Sequence, residues 1–473
     1  YSMDVLNTGQ TLDKSINASN GYLHNMRTYQ DKTAPLPYVT KAGGNGNWSD
    51  PNNWLYGSVW DISGAHPNCA IVKISDNLTT NVNHNTIGLI IDLGKKLTVN
   101  NDSGIFNSWY LNLNGNIDLE GESQLIQTQN SELAVTSSGK IERDQQGTAD
   151  KFTYNYWSSP VGVSNTTSNN NGYNVKNVMR DGTQNINFLT SGYNGTNTSP
   201  IGIADYWIWK FANQLDNDYS AWQHIRSNGI IYAGEGYTMK GPGSGSIADQ
   251  QNYVFTGKPN NGDINLTINA GNDYLVGNPY PSAIDAHQFI LDNAPIIEGS
   301  GATTGTLYFW EHWGGGSHVL SEYQGGYATY NLSGGLPSAS KGTNDPDVAT
   351  GGTPTKTPGR YIPVSQGFFV VGEATGTIKF RNSQRVFQKE NASSVFMRSN
   401  EATASNDTND GDTRMKLRIG FNSVNQIHRQ LLVTVDSNAT QAIDFGYDGH
   451  LYDSLIDDMY WVIENEKFVI QGT

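Results

Sequence analysis

The first part of the chain alternates apolar and polar residues in short runs, and glycine or Asn-Gly interrupts the runs. Alternation with a period of two is typical of β-strands, so the runs predict strands joined by tight turns. Between about residues 87 and 142 this rhythm leaves no room for helices. It predicts a few turns of β-solenoid, with a β-sandwich meander as the alternative. The runs are 70–74, 87–93, 96–99, 111–114, 116–119, 124–126 and 132–135.

The middle of the chain contains a duplication, in which aromatic runs alternate with long loops rich in Asn, Gly and Ser. Four landmarks recur in the same order, with residue numbers that differ by 119, 101, 131 and 125. We interpret them as two related β modules, packed with pseudo-twofold symmetry or merged into one larger sandwich. The first copy has its landmarks at 156–160, 206–209, 233–239 and 253–255, and the second at 275–279, 307–310, 364–370 and 377–380.

These patterns predict an all-β fold in which a short β-solenoid or meander precedes duplicated β-sandwich modules and a partial C-terminal β-sandwich. Four strands with one apolar face rarely close a sandwich, so we expect the natural protein to continue beyond Thr473 or a partner to complete the last sheet. One short helix is expected at 283–291, with Ser282 as its N-cap. The predicted segments are an extended N-terminal segment (1–40), the solenoid-like domain (41–149), the first module (150–262), the second module (263–390), a polar linker (391–413) and the partial domain (414–473).

Composition narrows the class of protein. The 473 residues carry a formal charge of −15, only 15% are charged and 11% are aromatic. This balance argues against nucleic acid as a partner and against a coiled coil or a disordered chain. No run is long and apolar enough to span a membrane as a helix, and a single cysteine, Cys69, excludes a disulfide scaffold. The start lacks the pattern of a signal peptide, so we expect a mature or trimmed form.

Candidate catalytic residues form no recognisable set. Ser158 lacks a nucleophile-elbow motif, and Cys69 follows His66 without an identifiable orienting residue. The carboxylates Glu235, Glu311 and Asp285 lie on separate segments, and the spacing brings no two of them together. We therefore expect no enzyme activity, no catalytic residues and no bound organic cofactor.

Calcium is the metal that the sequence favours, because it accepts several carboxylate and carbonyl oxygens on flexible loops. One acidic group lies in the linker and a second in the C-terminal segment, and a solvated linker or a β-turn is the alternative reading of each. The candidate ligands are Asp407, Asn409, Asp410, Asp412, Asp444 and Asp448.

The tryptophans of the duplicated region have two readings. Trp207 and Trp209 would share one face of a strand, which is how a sandwich core is filled. Exposed tryptophans would instead stack on sugar rings. The residues concerned are Trp207, Trp209, Trp222, Trp310 and Trp313.

Several motifs of this region resemble a recurrent module of large surface and secreted proteins of Bacteroidetes, especially flavobacteria, which are exported by the type IX secretion system. The 428–472 region is similar to the part of those proteins just upstream of the C-terminal sorting domain. The segment Gly44 to Trp54 resembles another of their elements. The main motifs are 255–262, 274–285, 305–312, 324–329, 363–370 and 380–385.

The resemblance implies a location outside the cell or on the bacterial surface, as a structural or adhesin-like component of a secretion or gliding-motility system. The implied partners are outer-membrane secretion or motility proteins, or a glycan held by the long loops. It implies no catalytic residues. The alternative function is the carbohydrate-binding region of a secreted polysaccharide-degrading enzyme.

Overall fold

The computed structural model describes residues 37–473 except 44–45, 56, 58, 60–69, 216–218, 244, 297–300, 342–352, 355, 392 and 399–410, together with residues 10–11 and 21–22. Cys69, His66 and the candidate ligands Asp407, Asn409 and Asp410 lie outside the described residues. Within the segment predicted to be extended, β1 (Gln10–Thr11) and β2 (Gly21–Tyr22) pair antiparallel.

The predicted solenoid is confirmed, with about three turns. Successive strands alternate between two parallel sheets, and beyond residue 70 partners in neighbouring turns are about twenty residues apart, from 17 for Ile71 with Gly88 to 24 for Ile117 with Ile141. One sheet contains β3 (Tyr38–Val39), β5 (Ile71–Ile74), β7 (His84–Ile91), β9 (Gly104–Leu113), β11 (Gln124–Gln127) and β12 (Glu132–Leu133). The other contains β4 (Gly46–Asn47), β6 (Leu78–Thr80), β8 (Lys96–Val99), β10 (Asn116–Leu119) and β13 (Lys140–Thr148).

The first module follows directly, and its last strand pairs antiparallel with β13 along eight residues. The solenoid sheet therefore continues across residue 149, and the antiparallel strand ends the parallel stacking. The elements are β14 (Tyr154–Trp157), β15 (Val161–Gly162), α1 (Val175–Val178), β16 (Met179–Asp181), β17 (Gln184–Asn185), β18 (Asn187–Leu189), β19 (Gly202–Ala204), β20 (Trp209–Lys210), β21 (Gln214–Leu215), β22 (Gln223–His224), β23 (Tyr237–Lys240) and β24 (Gln250–Pro259).

The second module contains the predicted helix, which begins later than expected. Its N-cap is Asp285, whose carboxylate accepts a hydrogen bond from the His287 N–H, so the prediction of Ser282 was wrong. The elements are β25 (Ile264–Ile268), β26 (Asn272–Gly277), β27 (Ala283–Asp285), α2 (Ala286–Asn293), β28 (Thr303–Gly314), β29 (Gln324–Asn331), β30 (Gly334–Leu336), β31 (Ser340–Lys341), β32 (Tyr361–Ile362), β33 (Gly367–Gly372), β34 (Gly376–Phe380) and β35 (Arg385–Val386).

Strand pairing confirms the duplication. In the first module β23 lies between β14 and β20, and in the second module β33 lies between β26 and β28, antiparallel in every case. The fourth landmark strand of each copy pairs instead with the strand that precedes the module's first landmark: β24 with β13, and β34 with β25. The two copies thus share one topology although their loops differ.

The two copies also exchange backbone contacts with pseudo-twofold symmetry. Trp157 forms a bridge with Gln366, and Glu235 forms a bridge with Val276. These positions correspond, because Trp157 and Val276 differ by 119 residues and Glu235 and Gln366 by 131. The Ser158 N–H donates to the Ser365 carbonyl at 2.8 Å, and the equivalent Gly277 N–H donates to Gly234 at 3.0 Å.

The C-terminal segment forms a further sheet, which includes β31 of the second module. Its strands are β36 (Lys416–Asn422), β37 (Ile427–Thr434), β38 (Gly449–His450), β39 (Trp461–Ile463) and β40 (Glu466–Gly472). The domain limits drawn from the sequence stay predictions. Along the described ranges, no helix combines the length and apolar character that crossing a membrane requires.

Candidate functional site

A contiguous group of aromatic rings, here called the aromatic surface, lies on the first module and includes one ring, His318, from the second module. The side chain of Tyr193 is 55% exposed, His224 is also exposed, and Trp209 is half-buried. The Trp209 and His224 rings stack with centroids 4.0 Å apart, and Tyr206 contacts both edge-on. Tyr193 meets Tyr206 at 4.9 Å. The aromatic surface comprises Phe152, Tyr193, Tyr206, Trp207, Trp209, His224 and His318.

Strand alternation explains why aromatic and basic side chains collect on this face. The register pairs Tyr154 with Lys240 and Trp209 with His224, and directly paired residues point to the same side of a sheet. The opposite parity places Trp157, Tyr237 and Met239 in the apolar core that the module shares with the solenoid. The side chains of Trp209 and His224 therefore lie on the outer face of the sheet, away from this core.

Lys240 lies beneath the aromatic surface in a cage of rings. Its ammonium is 3.9 Å from the Trp207 ring centroid, 4.5 Å from that of Tyr154 and 4.6 Å from that of Tyr323. Lys240 Nζ donates to the Tyr323 hydroxyl at 2.7 Å and contacts His318 Nδ1 at 3.2 Å. His318 and Tyr323 come from the second module, so both copies build the cage.

Burial dominates the electrostatics of the cage. It lowers the pKa of Lys240 to about 7, and the charge of Asp150 opposes this shift only in part. Burial, together with the nearby Lys240 and Lys151 ammonium groups, lowers the pKa of His318 to about 4. His318 Nε2 lies 2.8 Å from Asn194 Oδ1, which can only accept. Nε2 therefore carries the proton, and Nδ1 accepts from Lys240.

The second module provides an internal comparison. Trp209 pairs with Thr238, and Tyr308 pairs with Phe369, the counterpart of Thr238, so the strand register makes Tyr308 the equivalent of Trp209. The Trp310 side chain is only 9% exposed and packs against Tyr156 and Tyr327. The Tyr308 ring stacks on Tyr452 of the C-terminal segment at 4.2 Å. The second copy's outer face is thus covered, whereas the first copy's remains partly open to solvent.

The structure places the five candidate tryptophans in different environments. Trp207 is 8% exposed and belongs to a short 3₁₀ turn, Asp205–Trp207, so it does not share a strand face with Trp209 as expected. Trp222 and Trp313 are half-buried. Sequence reasoning missed Tyr193, Tyr206, His224, Lys240 and His318. Only the aromatic density of the surrounding segments could have signalled them.

The carboxylates considered for catalysis have other partners. Glu235 is 3% exposed and accepts from Lys210 at 2.9 Å and from the Tyr274 hydroxyl at 2.9 Å. Asp285 caps α2 and pairs with Arg360 at 2.7 Å. Glu311 is fully buried on β28. Ser158 is fully buried and donates its hydroxyl to the Glu235 carbonyl.

The described calcium candidates are engaged in local contacts. Asp412 pairs with Arg414 at 2.6 Å and with Lys416 at 3.0 Å, and these interactions hold its pKa well below the usual range. Asp448 accepts from the backbone N–H groups of Asp444 and Gly472, and its burial raises its pKa to about 6. Within the described ranges, no three His, Cys, Asp or Glu side chains are grouped to hold a metal ion. Calcium binding stays a prediction.

The fold and this surface define an all-β protein in which a β-solenoid is joined to duplicated modules, one of which exposes an aromatic surface. Residues 40–473 match a family described as a domain of unknown function, DUF8693, and the chain belongs to that family. Neither a curated protein nor a solved structure matches the chain.

Proposed function

We propose that this is a non-enzymatic protein of the bacterial surface or exterior that binds a glycan through the aromatic surface. The observation that carries the proposal is the contiguous set of rings on the first module, of which Tyr193, Trp209 and His224 reach solvent, whereas the counterpart face of the second module is covered. Pyranose rings present C–H groups on one face, and these groups pack against aromatic rings. A row of such rings suits an extended saccharide.

The frame supports this role. Tyr193 lies on a long loop. Trp209 lies on a sheet, and the opposite face of that sheet packs in the main core. Binding residues on loops above a rigid sheet are pre-organised, so little side-chain ordering opposes ligand binding. The Trp207 Nε1–H donates to the Tyr193 carbonyl at 2.7 Å and ties this loop to the sheet.

The cellular setting follows from the resemblance to exported proteins of Bacteroidetes. We propose an adhesin-like component of a type IX secretion or gliding-motility system, with outer-membrane proteins of that system as partners. The acidic, charge-poor composition supports this setting, because such surfaces stay soluble with few ionic contacts. The alternative, a carbohydrate-binding region of a secreted enzyme, would use the same surface.

Affinity electrophoresis through gels containing polysaccharides tests glycan binding. The variants are Trp209→Ala and Tyr193→Ala, and the matched control is Trp109→Ala, which removes a tryptophan that is 57% exposed on the solenoid strand β9. We expect each test variant to weaken retardation about tenfold, as loss of a central aromatic contact does. Equal retardation of all variants by every polysaccharide would contradict the proposal.

Purification of the native protein from its own cell envelope tests the setting. Co-purification with secretion or motility proteins, identified by mass spectrometry, supports the surface-assembly role. A protein that elutes together with a polysaccharide-degrading catalytic domain favours the enzyme-associated alternative. Recovery only from the cytoplasm contradicts both.

A further inference from the structure

We infer that the glycan bound by the aromatic surface is anionic, carrying carboxylate or sulfate groups, and that Lys151 and the His318 ring face those groups, with Lys240 buried beneath them. The inference rests on the proposed function, because it names the ligand class of the same surface.

The first observation is that two lysines lie at one end of the aromatic surface. The Lys240 ammonium bonds to a hydroxyl and an imidazole, and the Lys151 ammonium lies 5.2 Å from the Phe152 ring centroid. In the part of the chain that the structure describes, neither lysine forms an ion pair with a carboxylate.

The second observation is that both cations converge on His318. The Phe152 ring, which carries Lys151 over its face, lies 4.8 Å from the His318 ring, and Lys240 Nζ contacts His318 Nδ1. Both charges oppose protonation of this imidazole. The His318 ring also lies 6.4 Å from the exposed Tyr193, so the cations adjoin the rings that a saccharide would cover.

Two carboxylates near these lysines are buried and directed elsewhere. Asp150 is 7% exposed and accepts from the Phe152 N–H at 3.1 Å and the Thr153 hydroxyl at 2.7 Å. Asp205 is 1% exposed and accepts from Arg226 and Ser227. These two carboxylates are therefore held away from solvent, whereas Lys151 lies over the Phe152 ring that adjoins His318. Glu322 remains exposed on the 3₁₀ turn that follows His318.

A ligand that suits this arrangement stacks its sugar rings along Tyr193, Tyr206 and Trp209 and places an acidic group near Lys151 and His318. A carboxylate or sulfate oxygen would accept from the Lys151 ammonium, which has three donors. Because an imidazole between two cations resists protonation, a bound anion would favour the charged forms of His318 and Lys240.

The test compares polysaccharides that share a backbone and differ in charge. Polygalacturonate is compared with its highly methyl-esterified form for the carboxylate arm, and dextran sulfate with dextran for the sulfate arm. We expect one charged member to bind about fivefold more tightly than its neutral partner, as one exposed ion pair allows. Lys151→Met should abolish this preference.

The matched control is Lys467→Met, because the Lys467 ammonium also lies over an aromatic ring, 4.4 Å from the Tyr460 centroid, but on the C-terminal strand β40. This variant should keep the preference, and equal thermal unfolding of both variants would show that each folds. Equal binding of charged and neutral members overturns the inference and leaves glycan binding intact. A preference that persists in Lys151→Met also overturns it. Retention of none of the four polysaccharides overturns the proposed function as well.

Discussion

Replacement of Lys240 by methionine, an uncharged side chain of similar length, tests the energetics of the ring cage. The Lys240 side chain is buried, and burial lowers its pKa from 10.5 to about 7. In the unfolded chain the same ammonium is fully hydrated and retains the higher value. Between these two pKa values the unfolded chain therefore holds one more proton than the folded protein.

The sign and size of the effect follow from this proton difference. When the unfolded state binds more protons, stability rises with pH, here by about 1.4 kcal/mol per pH unit. Wild-type stability should therefore gain about 3 kcal/mol relative to Lys240→Met between about pH 7 and about pH 9.5. The variant is at its greatest advantage below pH 7, where the folded wild type must bury a cation.

Urea unfolding of both proteins at several pH values, followed by tryptophan fluorescence, measures this difference. The other titrating groups are the same in both proteins, so their contributions to the difference in stability cancel. Lys467→Met, which removes an exposed lysine, should show a constant difference from wild type. A constant difference for Lys240→Met would refute the reasoning, because it would mean that the rings of Trp207, Tyr154 and Tyr323 offset the whole desolvation cost and keep the lysine charged.

Two other substitutions test the contacts between the modules and the loop that carries Tyr193. Glu235→Gln should lower the free energy of unfolding by about 3 kcal/mol in urea titrations. The substitution leaves the Lys210 ammonium without its buried carboxylate partner. An unchanged urea midpoint would contradict a structural role for this ion pair. Gly195→Ala should reduce the retardation of the protein in gels that contain the bound glycan, while its circular dichroism spectrum stays unchanged. An added Cβ would lie 2.5 Å from the Gly202 and Pro242 carbonyl oxygens and would displace the loop that carries Tyr193. Retardation equal to that of wild type would show that glycan binding does not need this loop position.

Much of the architecture could be predicted from periodicity. The runs at 96–99 and 116–119 are strands with those bounds, and the solenoid is confirmed by parallel pairing. The duplication was visible because strands that fill equivalent places in a sandwich retain similar aromatic patterns. The helix cap was misplaced because Ser282 and Asp285 are both good N-cap residues, and the choice depended on tertiary contacts. The Ser282 hydroxyl instead accepts from the buried Arg385.

The aromatic surface could be predicted only in part. The sequence makes Trp209 a candidate for sugar stacking, but it makes Trp310 an equal candidate, and Trp310 is buried. Lys240 was not a candidate, because a lysine on a strand is ordinarily a solvated residue. Its cage requires Trp207 from the first module and Tyr323 from the second, which are 116 residues apart in the chain.

The sequence by itself determined the all-β class, the solenoid rhythm and the repeated order of strands, because these depend on alternation and on turn residues that act over a few positions. Only the tertiary structure decided which of the two equivalent outer faces stays open. Tyr452 of the C-terminal segment stacks on Tyr308 and covers one face, while the rings around Trp209 on the other face remain partly exposed. That difference arises from contacts between distant segments, and no local pattern encodes it.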